Sequence, residues 1–445
     1  MAGADGNIIT YIKKNTNQLS TENYNEVDGL VFSQLSYMRY EDVEWPEGEV
    51  SVSEFAKKLS ENSSEKDNNT RFLKALAQNP RYKNCIITDM AALNGRKYWQ
   101  NGEEKFQFGD GQWAALTIKI GSDTSVVAMR GTNGTQLGWD EDFELAYTKN
   151  GTTAQKMSRD YLENTTVENI YLAGHSKAAN DVTSAYVMSD ISTRDRVKRI
   201  DAYDGPANND DFKKKYAAGY LDIEKKLYNH YPKDSIIGML LGGSPGLRDF
   251  CKADVEGHQM EGSVIGQHDP YAWRISEDLD SFDGTDQSDF SRNLNYTLDG
   301  IVENYDGIGR YRLGTLLTQL GVSSLLDESY GTGRKAFSVL SGIGSLTIVD
   351  MFFISNLMGN SMIELKKEPL QAGVEAMRRC GDNILSIRTN IPSLIGNSEV
   401  LESYKECFEK LQSVMESYAS LLKSDGNRFL SAGEALIQED ESVLK

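Results

Sequence analysis

The chain has 445 residues and carries 47 Lys and Arg against 66 Asp and Glu, a formal net charge of −19. An acidic chain repels phosphate backbones, which argues against a general nucleic-acid-binding protein. The length allows a large core and two or three domains, and the four cysteines are too far apart in the sequence for a zinc site or a disulfide framework. We therefore expect a globular protein with no metal site and no cofactor.

The predicted elements change in character along the chain. Residues 23–40 have the apolar spacing of a helix, and polar, helix-like segments follow. Residues 113–120 and 125–129 are β-rich runs separated by a turn at 121–123, which predicts a hairpin. Three further strand signals alternate with helical stretches, at residues 170–173, 199–203 and 226–231. This alternation predicts an α/β fold with a mostly parallel sheet flanked by helices, which binds ligands at the carboxyl ends of its strands.

The last third of the sequence differs from the rest. Residues 336–363 are the most apolar stretch, but they include Asp350 and several other polar residues. We expect buried helices there rather than a transmembrane span. After residue 363 the strand signal is lost, and two amphipathic helices joined at 391–397 predict an antiparallel hairpin. The predicted domains are therefore residues 1–363, which include the apolar segment, and the helical hairpin 364–445.

The strongest local signal for chemistry follows the strand at 170–173. Gly174-His175-Ser176 forms a sharp turn there, and a helix begins at once. This is the setting of a nucleophile elbow, in which the turn exposes a serine hydroxyl above the amino end of a helix. Ala178 stands where the second glycine of such elbows is usual. Ser176 is thus the candidate nucleophile, and the alternative is a serine at an ordinary strand–helix turn.

A serine nucleophile needs a histidine base, and the sequence offers four. His175 lies inside the elbow, where we expect its side chain to point away from Ser176. His230 lies within a predicted strand. His258 and His268 remain, and His268 is favoured because it lies in a polar loop directly after an apolar pair.

The acid and the oxyanion donors are less clear from the residues alone. Asp204 and Asp234 both follow predicted strands. Asp234 follows the later strand, where folds with such an elbow usually carry the acid, so it is favoured, and Asp204 is interpreted as a turn residue near the pocket. The backbone N–H of Lys177 is one expected oxyanion donor, and Thr132, in a loop after residues 125–130, is a candidate for the other.

Taken together, these motifs resemble class 3 (fungal-type) lipases, and more closely a bacterial branch of lipase-like proteins. The residues that carry the resemblance span roughly 7 to 330 and are Asn25-Glu26-Val27-Asp28, Ser33-Gln34-Leu35-Ser36-Tyr37, Val126-Val127-Ala128-Met129-Arg130-Gly131-Thr132 with Trp139 and Asp142, Gly174-His175-Ser176-Lys177, Asp204-Gly205-Pro206, Asp234-Ser235-Ile236-Ile237-Gly238-Met239-Leu240 and Gln267-His268-Asp269-Pro270. The resemblance implies an α/β-hydrolase with Ser176 as nucleophile, His268 as base, Asp234 as acid, and Thr132 and Lys177 as oxyanion donors.

The sequence departs from the class 3 pattern at three places. Met129 replaces a common Phe, Ile237 stands where the acid motif usually has Pro, and Ala178-Ala179 replaces a small glycine pair. The second departure weakens the match to the family at Asp234, and the third predicts a narrower elbow.

The function implied is a serine lipase or esterase that acts on ester or lipid substrates through an acyl-enzyme. Two alternatives are a catalytically weak hydrolase fold kept as a binding module, and an exported effector or adaptor. The hairpin weakly resembles WXG-type proteins of type VII secretion, with Leu394-Ile395-Gly396 at its turn, and it is the candidate surface for a protein partner. The amino-terminal residues lack the pattern of a secretory signal, so we expect a cytoplasmic protein or one exported without a cleaved signal peptide.

Overall fold

The computed structural model describes residues 6–46, 48–61, 67–242, 244–254, 266–289 and 291–292. The predicted domain boundary near residue 364, the apolar segment 336–363, the helical hairpin 364–445 and the alternative base His258 lie outside the described residues.

The strands form one sheet in which they lie side by side in chain order. Within the described residues there are nine: β1 (Val50–Ser51), β2 (Ile86–Gln100), β3 (Glu103–Lys119), β4 (Thr124–Met129), β5 (Asn169–His175), β6 (Val197–Tyr203), β7 (Leu227–Pro232), β8 (Leu247–Cys251) and β9 (Gly284–Thr285). The five central strands β4 to β8 run parallel, whereas the pairs at both edges are antiparallel. The predicted α/β fold is confirmed, with the parallel arrangement confined to the centre of the sheet.

Helices cover both faces of the sheet. In the described part of the chain they are α1 (Ile8–Lys14), α2 (Glu26–Ser36), α3 (Val52–Ser60), α4 (Asn68–Gln78), α5 (Gln136–Glu144), α6 (Thr153–Asn164), α7 (Lys177–Met188), α8 (Ile191–Arg196), α9 (Asp210–Lys215) and α10 (Ala217–Ile223). Side chains of α1 to α4 belong to one hydrophobic core, and those of α6 and α7 to another. Strand β4 is buried throughout and alternates between the two, with Val126 and Ala128 in the first core and Val127 and Met129 in the second. A strand covered on both faces therefore appears in the sequence as a continuous apolar run.

The elements predicted around the candidate site are confirmed. The hairpin is the antiparallel pair β3 and β4, and the three later strand signals are β5, β6 and β7. The predicted amino-terminal helix is α2, which begins at a capping box formed by Asn25 and Asp28. Strand β2, by contrast, is 15 residues long and lies where the sequence analysis predicts no strand.

A buried ion pair connects the amino-terminal elements. The guanidinium group of Arg81 donates to both carboxylate oxygens of Asp28 and to the backbone carbonyls of Asn17 and Asn23. The Tyr82 hydroxyl donates to the same carboxylate. Because both charged side chains are almost completely removed from solvent, loss of either partner would leave an unpaired charge in the core.

Candidate active site

Ser176 lies at the carboxyl end of β5, directly before α7. Its backbone adopts φ 61° and ψ −131°, a conformation that residues with a side chain rarely occupy and that costs roughly 1–3 kcal/mol. Its N–H donates to the Tyr203 carbonyl at 2.9 Å, which joins the turn to β6. The strained strand–turn–helix geometry is that of a nucleophile elbow.

Two glycines make room for this turn. A Cβ added at Gly174 would overlap the backbone carbonyl of Ala178, and one added at Gly205 would overlap the Ala179 side chain and lie 2.6 Å from the Ser176 carbonyl oxygen. Gly205 therefore provides the space that the Ala179 methyl group occupies. The departure from the usual small pair is accommodated by the neighbouring turn.

His268 faces an aspartate, Asp204, that follows the carboxyl end of β6, next to the carboxyl end of β5 where Ser176 lies. Its Nδ1 lies 2.7 Å from Oδ2 of Asp204, in a contact where the histidine side chain is 18% exposed and the aspartate 1%. A carboxylate in this position fixes the imidazole with its proton on Nδ1 and leaves Nε2 as the acceptor. Among the described residues, the polar contact of the His268 ring is the one with Asp204, and no hydrogen bond joins this ring to Ser176 Oγ.

The predicted contact between Asp234 and His268 is not the one that the structure contains. Asp234 bonds instead to Gln267, the residue before His268. The Gln267 amide donates to Asp234 Oδ2 at 2.6 Å, and the Asp234 N–H donates to Gln267 Oε1 at 3.0 Å. The physical reason lies in the turns that follow β6 and β7. Asp204 has a left-handed backbone (φ 43°) directly after β6, and the segment after Asp234 donates hydrogen bonds to the Asp204 carboxylate.

That segment supplies the remaining partners of the Asp204 carboxylate. The Ser235 hydroxyl and the Gly238 N–H, the latter at 3.0 Å, both donate to Asp204 Oδ1. Gly238 has no room for a side chain, because an added Cβ would overlap the Tyr231 ring and lie 2.8 Å from Asp204 Oδ1. The buried carboxylate is thus held by three donors when His268 is included, which keeps its orientation fixed.

His175 supports the loop that carries His268. The His175 Nε2 lies 2.9 Å from the His268 carbonyl oxygen, which can only accept, so this nitrogen carries the proton. Burial lowers the pKa of His175 well below its ordinary value, so the ring is neutral near pH 7. The Trp273 indole donates to the Gln267 carbonyl at 2.9 Å and holds the same loop. The His175 ring is thus hydrogen-bonded to the loop that carries His268.

The loop expected to hold the oxyanion lies beside the elbow. A Cβ added at Gly131 would lie 2.5 Å from the His175 carbonyl oxygen and 3.2 Å from Ser176 Cβ. The hydroxyl of the next residue, Thr132, donates to Asp142 Oδ2 at 2.6 Å. Burial raises the pKa of Asp142 to about 6. The Thr132 hydroxyl is therefore engaged with a carboxylate, which leaves the backbone N–H of Thr132 as the candidate oxyanion donor.

The second expected donor is the N–H of Lys177, the first residue of α7. The first N–H groups of a helix have no partner within the helix.

The loop after β4, which contains Thr132, is anchored by Arg130. This side chain donates to the Ser36 and Met38 carbonyls and to both carboxylate oxygens of Glu41. The turn at Ser176 and the loop after β4 are thus each held in place by specific hydrogen bonds.

Comparison with known proteins gives a family. The Mbeg1-like family model matches residues 76–317, more than half of the chain. Among solved structures, the chain is similar to the crystal structure of M37 lipase, with 12% identity over 62% of this chain and 79% of that chain, at a TM-score of 0.28. No curated protein matches. In the part of the chain that the structure describes, no group of acidic, His and Cys side chains could hold a metal ion, and no helix has the length and apolarity to cross a membrane. The chain belongs to the Mbeg1-like family.

Proposed function

We propose that this protein is a serine hydrolase that cleaves carboxylic esters through an acyl-enzyme on Ser176. The observation that supports this proposal most strongly is the 2.7 Å contact between His268 Nδ1 and the buried Asp204, at the edge where the strained Ser176 turn lies. In the proposed triad Asp204 takes the role that the sequence analysis gave to Asp234.

Each residue has one proposed task. His268 Nε2 removes the proton of Ser176 Oγ as this oxygen attacks the ester carbonyl carbon, and the Asp204 carboxylate stabilises the imidazolium that forms. The backbone N–H groups of Thr132 and Lys177 stabilise the negative charge on the former carbonyl oxygen. His268 then protonates the departing alkoxide, which leaves the acyl group on Ser176. Water, activated by the same histidine, releases the acid.

The substrate class is proposed from the sequence resemblance to class 3 lipases, and it is an ester with an apolar acyl chain. A panel of p-nitrophenyl esters from acetate to decanoate tests both reaction and chain-length preference. We expect turnover by the wild type and a loss of several orders of magnitude in Ser176→Ala.

Ser189→Ala is a matched control, because it removes a hydroxyl just beyond the other end of α7, where Ser189 Oγ donates only to the Ala185 carbonyl. This control should keep wild-type turnover. Wild-type turnover in Ser176→Ala would refute the proposed nucleophile. A folded wild type that hydrolyses none of the esters would favour a binding module instead.

A further inference from the structure

The side chain of Lys177 is buried beneath the oxyanion loop. It is 1% exposed, and its ammonium group donates to the Gln112 carbonyl at 2.7 Å and to Glu141 Oε2 at 3.2 Å. Asp181, one turn further along α7, lies 3.6 Å from the same ammonium. A buried cation requires such partners, so Lys177 ties the nucleophile helix to β3 and α5.

Gln112, which accepts that bond through its backbone, also holds the oxyanion loop through its side chain. The Gln112 amide nitrogen donates to the Gly131 carbonyl at 3.2 Å, and its Oε1 accepts from the Asn133 N–H at 3.2 Å. The two bonds reach the residues on either side of Thr132. They therefore hold the two peptide units on either side of the Thr132 Cα, and the first of these units contains the Thr132 N–H.

Glu141 connects these two side chains. Its Oε2 accepts from the Gln112 N–H at 2.9 Å as well as from Lys177, and its Oε1 accepts from the Ala154 N–H at 3.0 Å. Close packing adds to the bonds: a Cβ added at Gly138 would lie 2.9 Å from both Gln112 Oε1 and the Thr132 methyl group. A continuous path of hydrogen bonds thus joins the first residue after the nucleophile to the loop across from it.

We propose that Gln112 and the Lys177 side chain are positioning residues that hold the two oxyanion donors, the N–H groups of Thr132 and Lys177, in register with each other. The inference rests on the proposed function, because it assigns the network to the same reaction. Since the oxyanion exists only after attack on the carbonyl, loosening this network should weaken binding of the tetrahedral intermediate and leave binding of the ester substrate unchanged.

Gln112→Met is the main test, because it keeps the side-chain volume and removes both bonds to the loop. We expect kcat on a p-nitrophenyl ester to fall about 10- to 100-fold, less than the roughly 10²–10³-fold cost of losing one oxyanion donor. KM should stay within about twofold of wild type, and affinity for an alkylboronic acid, which forms a tetrahedral adduct, should fall in parallel with kcat.

Two further variants separate this role from general destabilisation. Gln155→Met removes a buried amide that donates to Asn180, Ser184 and Asn208, away from the oxyanion loop, and should leave kcat and boronic-acid affinity unchanged. Gly138→Ala adds one methyl group against the Gln112–Thr132 contact and serves if Gln112→Met does not fold. Amide hydrogen exchange over residues 131–135 should be faster in Gln112→Met and Gly138→Ala, and unchanged in Gln155→Met.

The outcomes distinguish this proposal from the proposed function. An active wild type whose kcat and boronic-acid affinity survive in Gln112→Met, or fall equally in Gln155→Met, overturns the positioning role alone. A folded wild type that neither hydrolyses esters nor reacts with a fluorophosphonate overturns the proposed function, and the catalytic role of the network with it.

Discussion

Replacing Asp204 by Asn tests which aspartate orients the base. Asn has the same shape as Asp, and its carbonyl oxygen can keep the bonds from the Ser235 hydroxyl and the Gly238 N–H. Its amide nitrogen must then take the position of Oδ2, 2.7 Å from His268 Nδ1 in the native structure. Because that nitrogen donates, His268 Nδ1 has to accept, and the imidazole proton moves to Nε2.

An imidazole protonated on Nε2 cannot accept the proton of Ser176. The equivalent change in a Ser-His-Asp triad lowers kcat by about 10⁴, which corresponds to about 5.4 kcal/mol in the activation free energy. We therefore expect kcat of Asp204→Asn to fall by a factor of about 10³–10⁴. KM and thermal stability should change little, since all three hydrogen bonds to this side chain can form, the one to His268 with donor and acceptor exchanged.

Asp234→Asn is the matched control, because its amide carbonyl can still accept the bond from Gln267. Its kcat should stay within about tenfold of wild type, as expected for a residue that positions a loop without touching the base. Steady-state kinetics on a p-nitrophenyl ester, with folding checked by circular dichroism, compare the two variants. A larger loss in Asp234→Asn than in Asp204→Asn would refute the assignment.

Three further predictions concern stability. Burial raises the pKa of Asp181 from 3.8 to about 7 even though the Lys177 ammonium group, 3.6 Å away, favours the charged form, and neither carboxylate oxygen has a hydrogen-bond partner within the described residues. Between these two pH values the folded protein therefore holds a proton that the unfolded chain releases, so its stability falls as pH rises from about 4 to 7. The increase in the free energy of unfolding that Asp181→Asn gives in urea should grow by about 4 kcal/mol from pH 4 to pH 8. An equal increase at both pH values would contradict this. Gly174→Ala should destabilise the fold and lower the yield of active protein, because its Cβ would overlap the Ala178 carbonyl; a wild-type melting temperature would refute the close packing. Arg81→Met should cost about 3–5 kcal/mol in urea unfolding by leaving Asp28 unpaired in the core, and a cost below about 1 kcal/mol would contradict the burial of this pair.

The nucleophile turn could be predicted from the sequence because its signals are local. A buried apolar strand, a glycine that must approach a helix and a serine at the turn are all adjacent in the chain. The structure adds the strained backbone of Ser176 to this pattern. The strands predicted at 125–129, 170–173, 199–203 and 226–231 correspond to β4 to β7, and the continuous apolar run in β4 reflects its burial on both faces of the sheet.

The choice of acid could not be predicted in the same way. Asp204 and Asp234 follow neighbouring parallel strands, so both reach the edge of the sheet near His268. Which carboxylate meets the imidazole depends on the left-handed backbone at Asp204 and on the fold of the loop after Asp234, and neither has a distinct sequence signal.

Strand β2 could not be predicted from the sequence for a different reason. It pairs with β3 over most of its length, but its second half, from Asn94 to Gln100, is largely solvent-exposed or half-buried. Polar residues at such positions hide the alternation that identifies a strand. The Gln112 network was missed because it joins residues that are far apart in the sequence.

The central claim, that Ser176 is a nucleophile activated by His268, is tested most directly by covalent labelling. Intact protein is treated with a fluorophosphonate probe, the mass shift is measured, and the adduct is located by peptide mapping. We predict one adduct per chain on Ser176, none at this position in Ser176→Ala, and labelling that is slowed by orders of magnitude in His268→Ala. Stoichiometric labelling of another serine, or no labelling of folded wild-type protein, would contradict it.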